Sequence, residues 1–417
     1  MNETQMGISD MSETADHTWI IFDGSDHPNS IHTSIARRIA EKAPVVIVKR
    51  PVSVLHDRPV PPFDKRCKRS FDLEDIWYYR PMHYPERLPG FGRVLRLLNE
   101  YCLQREVNRL LPEGKKKIVC YDSPRWHHLA GKIGEFLSVY FATDDFTVTI
   151  TGEPIKGELE AERQLLSKID MVISVSETLA QRLVERKAFL DRPSIHVLPN
   201  CFNERIFDAS RNWPEPDALR GISSPRVLVA GYVSERIDWD GIRIASRLRS
   251  HWNWLFRGPA EVGMQEKIIN TLGPHGFYFS PMPLEDMPAW MTHCDACAVP
   301  YRLNSFTLAS SPAKAYEYLA MGAPVLSTRV PSLQPYDKVI EWVNEADGES
   351  YARALDTIAI QAKEQNLRFL RQQAVVGDSL SLRVDQFRQI VYKMINFRSG
   401  SLAPSSTVYS FPDGLHI

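Results

Sequence analysis

The chain has 417 residues, which at about 150 residues per domain predicts two or three domains. Apolar residues make up 43% of the chain, charged residues 24%, and the net charge is −1, as in ordinary soluble globular proteins. This composition excludes a disulfide-stapled toxin, a peptide hormone and a protein that attracts nucleic acid through its overall charge. The six scattered cysteines favour a reducing compartment, so we expect a cytoplasmic protein.

Neither the ends of the chain nor its apolar runs indicate a membrane span or a signal peptide. Residues 1–16 are polar and lack a basic start and an apolar core, and we expect a disordered tail there. Residues 398–417 are rich in Ser, Pro and Gly, which predicts a second flexible tail. No apolar run approaches the roughly 20 residues of a membrane-spanning helix.

Short apolar runs alternate with amphipathic stretches along the first half, a pattern typical of parallel strands covered by helices. The predicted strands are Thr18–Phe22, Val45–Lys49, Ile76–Tyr79, Lys117–Cys120, Leu137–Ala142, Met171–Val175 and Ile195–Leu198. The predicted helices are Ser30–Glu41, Val94–Leu110, Gly157–Lys168 and Ser176–Lys187. These elements predict a first Rossmann-like domain over residues 17–205.

The pattern restarts after residues 206–225, a Pro-containing stretch without a clear period that we interpret as a linker. Strands are predicted at Arg226–Ala230, Trp252–Phe256, Phe277–Phe279, Ala296–Pro300 and Pro324–Thr328. Helices are predicted at Trp239–Arg249, Glu261–Thr271, Met287–Cys294, Pro312–Met321, Ser350–Gln361 and Asp385–Phe397. The fold class is therefore α/β, with a second Rossmann-like domain over 226–380 and a C-terminal helix, 381–397, that could cross back to the first domain.

Two open parallel sheets bind ligands beyond the carboxyl ends of their strands, so a cleft between the domains is the expected site. The segment from 295 to 328 is the most informative part of it, because a long loop leads into a helix with clear start and stop signals. We expect Ser310 or Ser311 to cap this helix, Pro312 to occupy its first turn and Gly322 to end it.

A helix start in a cleft binds anions, since its unpaired N–H groups and its positive dipole end point at the ligand. Lys314 adds a full positive charge one turn into the helix. Glu317 lies three residues further, about 4.5 Å along the axis at 1.5 Å per residue. This spacing suits a diphosphate and the ribose next to it. The competing interpretation is an ordinary i, i+3 surface pair.

The segment Ser310–Val325 (SSPAKAYEYLAMGAPV) resembles the donor-site signature of the GT-B glycosyltransferases. The resemblance is strongest to the bacterial group related to teichuronic-acid and glucuronosyl-transferring enzymes of envelope polysaccharide synthesis. Secondary similarities lie at Leu198–Asn203, Gly231–Trp239, Ile173–Leu179 and Asp144–Asp145.

The resemblance implies the GT-B fold, in which two Rossmann-like domains face each other across a deep cleft. It also implies that the second domain binds a nucleoside-diphosphate sugar and the first binds the acceptor. Ser310, Ser311 and Lys314 would meet the diphosphate, and Glu317 would accept hydrogen bonds from the ribose. Many members carry an acidic residue eight positions before that Glu. Ala309 stands there in this chain, as in members that use only Lys and Glu.

Weaker donor-site candidates follow two other strands of the second domain. Gly231 and Tyr232 form a turn in which a glycine lets the backbone approach a phosphate. Arg236 would neutralise charge on the departing diphosphate. Tyr278 and Met282 occupy a position where a nucleotide base would pack.

The acceptor hydroxyl must lose a proton, and carboxylates or imidazoles of the first domain could accept it. We favour Asp144 or Asp145, because adjacent carboxylates at the end of a strand shift each other's pKa. The competing interpretation is a solvated loop or a helix cap. Further candidates, also at the ends of strands, are Asp23, Asp26, His27, His83 and Asp122, and we expect His27, His83 and Asp122 to contact the acceptor. An inverting displacement would need such a base, whereas a retaining one would not.

Two pairs that resemble metal ligands are better explained without a metal. Cys294 and Cys297 form a lone CxxC, which predicts buried thiols, and His127–His128 has no third ligand nearby in the sequence. No metal and no cofactor other than the donor substrate is expected, and no nucleic-acid partner.

One region is locally basic. Residues 49–117 hold 16 Lys and Arg against 9 Asp and Glu. Within it, residues 65–110 include a basic amphipathic stretch that could lie on anionic lipid, at the inner face of the cytoplasmic membrane. An ordinary solvated helix face is the equally weighted alternative.

These observations predict a glycosyltransferase that transfers a sugar from a nucleoside-diphosphate sugar to a hydroxyl of a saccharide or lipid-linked acceptor, in polysaccharide or envelope glycan synthesis. A nucleotide-sugar epimerase of the same fold and a non-catalytic nucleotide-sugar-binding subunit are the alternatives.

Overall fold

The structure is a computed structural model, and it describes residues 16–25, 30–53, 62–70, 72–73, 75–84, 90–187, 193–361 and 365–399. The first half contains β1 (His17–Asp23), α1 (Ile31–Ala40), β2 (Val45–Lys49), β3 (Val52–Ser53), α2 (Phe63–Arg66), β4 (Cys67–Arg69), β5 (Ile76–Tyr79), β6 (Met82–His83), α3 (Gly92–Leu110), β7 (Lys116–Tyr121), β8 (Glu135–Ala142), α4 (Glu158–Leu166), β9 (Met171–Ser174), α5 (Glu177–Arg186) and β10 (Ser194–Val197).

The second half contains β11 (Arg226–Ala230), α6 (Trp239–Leu248), β12 (Asn253–Arg257), α7 (Met264–Leu272), β13 (Gly276–Phe279), α8 (Met287–Thr292), β14 (Ala296–Val299), α9 (Ser305–Leu308), α10 (Ala313–Ala320), β15 (Val325–Thr328), β16 (Ile340–Val343), α11 (Gly348–Gln361), α12 (Gln365–Ala374) and α13 (Leu380–Arg398). Short 3₁₀ turns connect several of them.

The first sheet has eight strands in the order β10-β9-β8-β7-β1-β2-β5-β4. All neighbours are parallel except β4, which pairs antiparallel with β5 at the edge. Every residue of β1 is buried, as expected for a strand with helices on both faces. The order reverses between β1 and β7, and such a switch point is where open parallel sheets bind ligands.

The second sheet has the order β13-β12-β11-β14-β15-β16 and is parallel throughout. This is the doubly wound order 3-2-1-4-5-6, with its switch point between β11 and β14. The predicted α/β class is therefore confirmed, and the carboxyl ends of β11 and β14 are where a donor would be sought.

The chain crosses from one domain to the other twice, and hydrogen bonds join the two crossing segments. Phe202 N–H donates to the Asp378 carbonyl (3.2 Å), and Leu380 N–H donates to the Phe202 carbonyl (2.8 Å). After this bridge, α13 packs on the first sheet, where the ring of Phe387 lies 5.9 Å from those of both Trp19 and Phe141.

The stretch 206–225 is packed instead of extended. Phe207, Leu219 and Ile222 are buried in the apolar core of the second sheet. Arg226 donates to the carbonyls of Leu219 and Ile222, which ties the end of this stretch to β11.

Three strands of the first half, β3, β4 and β6, have no counterpart in the predicted elements. β4 lies within the basic run 65–69, and its charged residues Lys68 and Arg69 are exposed at the sheet edge. Charge at an edge strand discourages pairing with other chains, so part of the basic excess has a structural use. The predicted tails lie outside the described residues apart from Asp16, Arg398 and Ser399. Among the helices that the structure describes, none is long and apolar enough to span a membrane.

Candidate active site

Two glycines form the turn at the second-domain switch point. Gly231 follows β11 with φ +117°, and Gly258 follows β12 with φ +143°. A Cβ on Gly258 would lie 2.2 Å from the Gly231 carbonyl oxygen, so only glycine permits this contact. The two glycines thus bring the ends of β11 and β12 into close backbone contact.

Two cations from different elements converge on Gly231. A Cβ placed on Gly231 would lie 3.8 Å from Arg236 Nη2 and 3.9 Å from Lys314 Cε. The Arg236 guanidinium lies 4.8 Å from the Tyr301 ring centroid, which orients its plane. Its Nε is buried, and no acceptor of the described residues lies within hydrogen-bond distance. The arrangement is suited to a ligand with more than one anionic group.

The start of α10 differs from its predicted form. Pro312 is the N-cap and gives no side-chain cap to the helix, whereas the sequence predicts a serine there. The Ser310 hydroxyl donates to the Thr307 carbonyl (2.7 Å), and the Ser311 hydroxyl pairs with Tyr316 Oη (3.0 Å). The prediction of a serine cap is therefore wrong, because nearer partners hold both hydroxyls. The helix start is left without a capping side chain, as an anion site requires.

Lys314 and Glu317 lie on one face of α10 and form an ion pair, with Nζ 2.6 Å from Oε2. Glu317 is only 7% exposed. Its burial raises the pKa of the carboxyl group above the ordinary value, although Lys314 opposes this shift. A buried carboxylate beside a lysine is a strong acceptor for ligand hydroxyls. The Lys314–Glu317 pair is thus mostly shielded from solvent, unlike the solvated i, i+3 surface pair of the competing interpretation.

Tyr278 and Met282, which are predicted to pack against the nucleotide base, make polar contacts that the sequence pattern did not indicate. Tyr278 Oη donates to the Gly258 carbonyl (3.0 Å), which fixes the glycine turn. Arg257 Nε lies 3.0 Å from Met282 Sδ, and its guanidinium lies 4.4 Å from the Trp290 ring centroid. Tyr232, next to the turn, is 41% exposed.

The adjacent carboxylates after β8 have opposite environments. Asp145 is 1% exposed and is paired with Arg182 (2.9 Å) and Arg186 (2.8 Å), and Thr147 Oγ1 donates to it at 2.6 Å. Burial opposes its ionisation, but these partners outweigh burial and lower the pKa of Asp145 to about 2. Asp145 is thus a fixed anion inside the protein.

Asp144 lies within the electrostatic influence of Arg236 in the second domain. Burial raises its pKa to about 6, while the charge of Arg236 lowers it and that of Asp145 raises it. A carboxyl group with a pKa near 6 can accept a proton at neutral pH and release it again. The candidate general base is therefore Asp144, and Asp145 holds its neighbour in position.

Several hydrogen bonds join the first domain to the loop that precedes α10. The Ser176 hydroxyl donates to the Ala309 carbonyl (2.6 Å), and Arg182 donates to the Ser305 carbonyl (2.5 Å). Asn200 Nδ2 donates to the Ser311 carbonyl (2.6 Å). These bonds fix the start of α10 relative to the first domain.

The structure describes some of the remaining first-domain candidates and leaves others outside the described residues. His27 and Asp26 lie outside the described residues. Asp122 accepts hydrogen bonds from Gly24 N–H and Trp126 Nε1, both at 2.7 Å, so it supports loops and is not open to an acceptor as expected. Asp23 is buried and ion-paired with Lys49 at 2.8 Å.

His83, the remaining acceptor candidate, lines a cavity of about 300 Å³ at the carboxyl ends of the first sheet.

The two motifs that resemble metal ligands have ordinary environments. Cys294 and Cys297 are buried thiols, and burial raises the pKa of both. His127 Nδ1 lies 3.0 Å from the Pro124 carbonyl oxygen. Within the part of the chain that the structure describes, no group of three or more His, Cys, Asp or Glu is placed to hold a metal ion.

Known proteins share the fold of this chain. Solved structures superimpose over nearly the whole chain. An E. coli trehalose-6-phosphate structure bound with UDP-2-fluoro glucose matches with a TM-score of 0.68 and 12% identity over 90% of this chain and 98% of that one. The UDP-forming α,α-trehalose-phosphate synthase of Burkholderia vietnamiensis matches with a TM-score of 0.65 and 11% identity over 91% and 99%.

The chain has the GT-B fold. Anabaena HepE, in complex with UDP and glucose, shares it with a TM-score of 0.61 and 13% identity over 90% of this chain and 99% of that one. Among curated proteins, TuaH of Bacillus subtilis strain 168 is 22% identical over 319 residues, 73% of this chain and 78% of its own length. Its name provisionally assigns it to teichuronic acid biosynthesis as a glycosyltransferase. No protein-family model matches the chain. The resemblance found in the sequence is confirmed.

The two adjacent carboxylates predict opposite mutant phenotypes. Asp145→Asn leaves Arg182 without its buried anion and Arg186 with Glu162 as its remaining ion-pair partner, and we expect a loss of about 3–5 kcal/mol in the free energy of unfolding. Asp144→Asn removes a charge whose ionisation the fold disfavours, so the stability should not fall. Chemical denaturation of both variants at pH 7 measures the difference. Equal losses in the two variants would contradict the division of roles.

Proposed function

We propose that this protein is a glycosyltransferase that transfers a sugar from a nucleoside-diphosphate sugar to a hydroxyl group of a saccharide or lipid-linked acceptor. One observation carries the proposal. A first-domain carboxyl group with a raised pKa, Asp144, lies within the electrostatic influence of a second-domain cation, Arg236, which lies with Lys314 around the turn at Gly231. Base, anion site and cleft thus meet at one place.

The donor would be held at the start of α10. Its unpaired N–H groups and Lys314 would meet the diphosphate, and Glu317, one turn further, would accept hydrogen bonds from the ribose hydroxyls. The ion pair of Lys314 with Glu317 keeps the ammonium group in the cleft before a ligand arrives. The base would pack near Tyr278 and Met282.

Sugar transfer leaves negative charge on the departing diphosphate. Arg236 and Lys314 lie where that charge develops, and fixed charges of this kind stabilise a transition state more than mobile water does. Asp144 would accept the proton of the attacking hydroxyl. Ala309, at the position where many relatives have an acid, is fully buried against the first domain and offers no second carboxylate.

The relatives suggest the class of donor and the pathway. Two of the solved neighbours hold UDP or a UDP-sugar, and TuaH is named for teichuronic acid biosynthesis. We therefore take a UDP-sugar as the first donor to test, and an envelope glycan as the product class.

Replacement of Lys314 by alanine tests the donor site. The variant loses a charge-assisted contact with phosphate, worth about 1.5–3 kcal/mol, so UDP should bind roughly 10- to 100-fold more weakly. Isothermal titration with UDP measures this. Lys338→Ala, which removes an exposed lysine of the same domain, should bind UDP like the wild type. Equal affinity of the two variants would contradict the assignment.

Activity assays of the purified protein distinguish the proposed function from the two alternatives. An epimerase would isomerise the donor sugar without any acceptor. A non-catalytic subunit would bind UDP-sugar and transfer nothing, and Asp144→Asn would not change its behaviour. Transfer that requires Asp144 contradicts both alternatives.

The pH dependence of transfer follows from the raised pKa of Asp144. Because its pKa is about 6 instead of 3.8, the proton-accepting form becomes populated only as the pH rises through about 6. We expect kcat/KM to increase through this range and level off above it, and Asp144→Asn to lose at least 100-fold in kcat. A profile that is already flat at pH 5, or an active Asn variant, would rule out the base. The second outcome would favour a retaining displacement.

We further propose that α3 contacts an anionic membrane, at the inner face of the cytoplasmic membrane. The helix presents a row of exposed apolar side chains, 38–65% exposed: Phe91, Val94, Leu97, Leu98 and Tyr101. Exposed arginines, including Arg93 and Arg105, flank this row. An apolar row bordered by cations suits the surface of an anionic bilayer.

Co-sedimentation with phosphatidylglycerol vesicles tests this contact. Each arginine near such a surface contributes about 1 kcal/mol, so Arg93→Gln combined with Arg105→Gln should weaken binding roughly 25-fold at low salt. Arg220→Gln combined with Arg243→Gln removes two second-domain arginines as the control. Identical sedimentation of the two double variants would contradict the proposal.

A further inference from the structure

The cavity that His83 lines is built from four separate segments of the first domain. It is bounded by residues that follow β2, by β6, by the inner face of α3 and by the turn after β7. Its volume is about 300 Å³. Because its walls come from the carboxyl ends of parallel strands, it opens on the side of the sheet that carries Asp144.

A buried carboxylate lines this cavity with one oxygen unused. Glu100 on α3 is 5% exposed, and its Oε2 accepts a hydrogen bond from Lys132 at 2.7 Å. Its Oε1 is buried, and no donor among the described residues lies within hydrogen-bond distance. A buried acceptor without a donor is costly, and the last torsion of a glutamate side chain is soft. A small rotation would bring Oε1 to a donor in the cavity.

The rest of the wall defines the kind of ligand that suits it. Arg50 and Arg125 supply positive charge, while Trp126 and Leu103 are among the apolar residues of the wall. Lys132 already neutralises Glu100, so the cavity has a net positive charge. A hydroxyl donor for Glu100, apolar ring contacts and an anionic substituent for the arginines are together the features of an acidic sugar.

The sheet order places this cavity beside the strand that leads to Asp144. Its wall at Arg50 follows β2, three strands from β8, which is about 14 Å at about 4.8 Å per strand. Its opposite wall, at Arg125 and Trp126, follows β7, which is the neighbour of β8 in the sheet. The cavity therefore extends from the strand next to β8 away from Asp144, where a part of the acceptor other than its reacting hydroxyl would lie.

We infer that this cavity is an acceptor subsite for an acidic sugar unit, with Glu100 accepting a hydroxyl hydrogen bond and Arg125 binding the carboxylate or phosphate. The inference rests on the proposed function and adds to it that the acceptor carries an anionic sugar unit. Glu100 and Arg125 would then determine acceptor specificity without taking part in the reaction.

Ligand-observed NMR titration of the full chain tests the subsite with three probes: methyl glucuronide, methyl glucoside and inorganic phosphate. We expect the glucuronide to bind more tightly than the glucoside. Glu100→Gln should weaken glucuronide binding about tenfold or more, because the amide cannot replace a charged acceptor. Glu106→Gln, on the same helix but paired with Arg66 outside the cavity, should bind the glucuronide like the wild type.

Arg125→Gln keeps the test decisive if Glu100→Gln does not fold, because Arg125 is exposed. This variant should bind the two glycosides equally. Competition by phosphate for the glucuronide would show that the arginines accept either anion. Equal binding of both glycosides by the wild type, or unchanged glucuronide affinity in both variants, would overturn the inference. A wild type that binds UDP but neither glycoside rejects the subsite alone, whereas loss of UDP binding rejects the proposed function.

Discussion

The position of the loop from Arg302 to Ser311 is the constraint on which the rest of the site depends. Its first residue donates an N–H to the Arg236 carbonyl (2.8 Å), and its later carbonyls accept hydrogen bonds from Ser176 and Arg182 of the first domain. One stretch of backbone thus sets the place of a second-domain cation and of the start of α10 relative to the first sheet. A donor site on one domain and a base on the other become a single site because of these backbone bonds.

The surroundings of each carboxyl group in this site, and not its position along the chain, determine how readily it ionises. Asp144 and Asp145 are neighbours, yet two arginines outweigh burial and lower the pKa of Asp145 to about 2, whereas burial raises that of Asp144 to about 6. Arg182 has a part in both effects, since it pairs with Asp145 and also donates to the loop carbonyl of Ser305. The ion pairs that stabilise the fold therefore also align the reactive group.

The sequence allowed the strands and α10 to be predicted because their signals are local. Pro312 and Gly322 bound the helix within ten residues, and Gly322 adopts φ +71° where a helix stop was expected. The prediction of a serine cap was wrong because both hydroxyls have other partners nearby in the chain, the Thr307 carbonyl for Ser310 and Tyr316 Oη for Ser311.

Other features of the site depend on contacts that no local pattern reveals. The arginines that hold Asp145 lie 37 and 41 residues further along the chain, and Asn200 meets Ser311 across 111 residues. The unused oxygen of Glu100 is likewise visible only when α3 is packed on the sheet. In the second domain, Arg257 and Trp290 become neighbours only through the packing of β12 against α8. The sequence shows which polar and charged side chains are available, but the packing of the fold determines which of them have hydrogen-bond or ion-pair partners.

The bridge between Phe202 and Ser379 has a mechanical consequence. Because both chain passages between the domains are hydrogen-bonded to each other there, a rigid rotation of one domain against the other must turn about a line through this bridge. The displacement of one domain against the other then grows with distance from that line. A rotation that widens the cleft would also break the hydrogen bonds that Ser176 and Arg182 donate to the loop before α10, so these two bonds favour the closed arrangement.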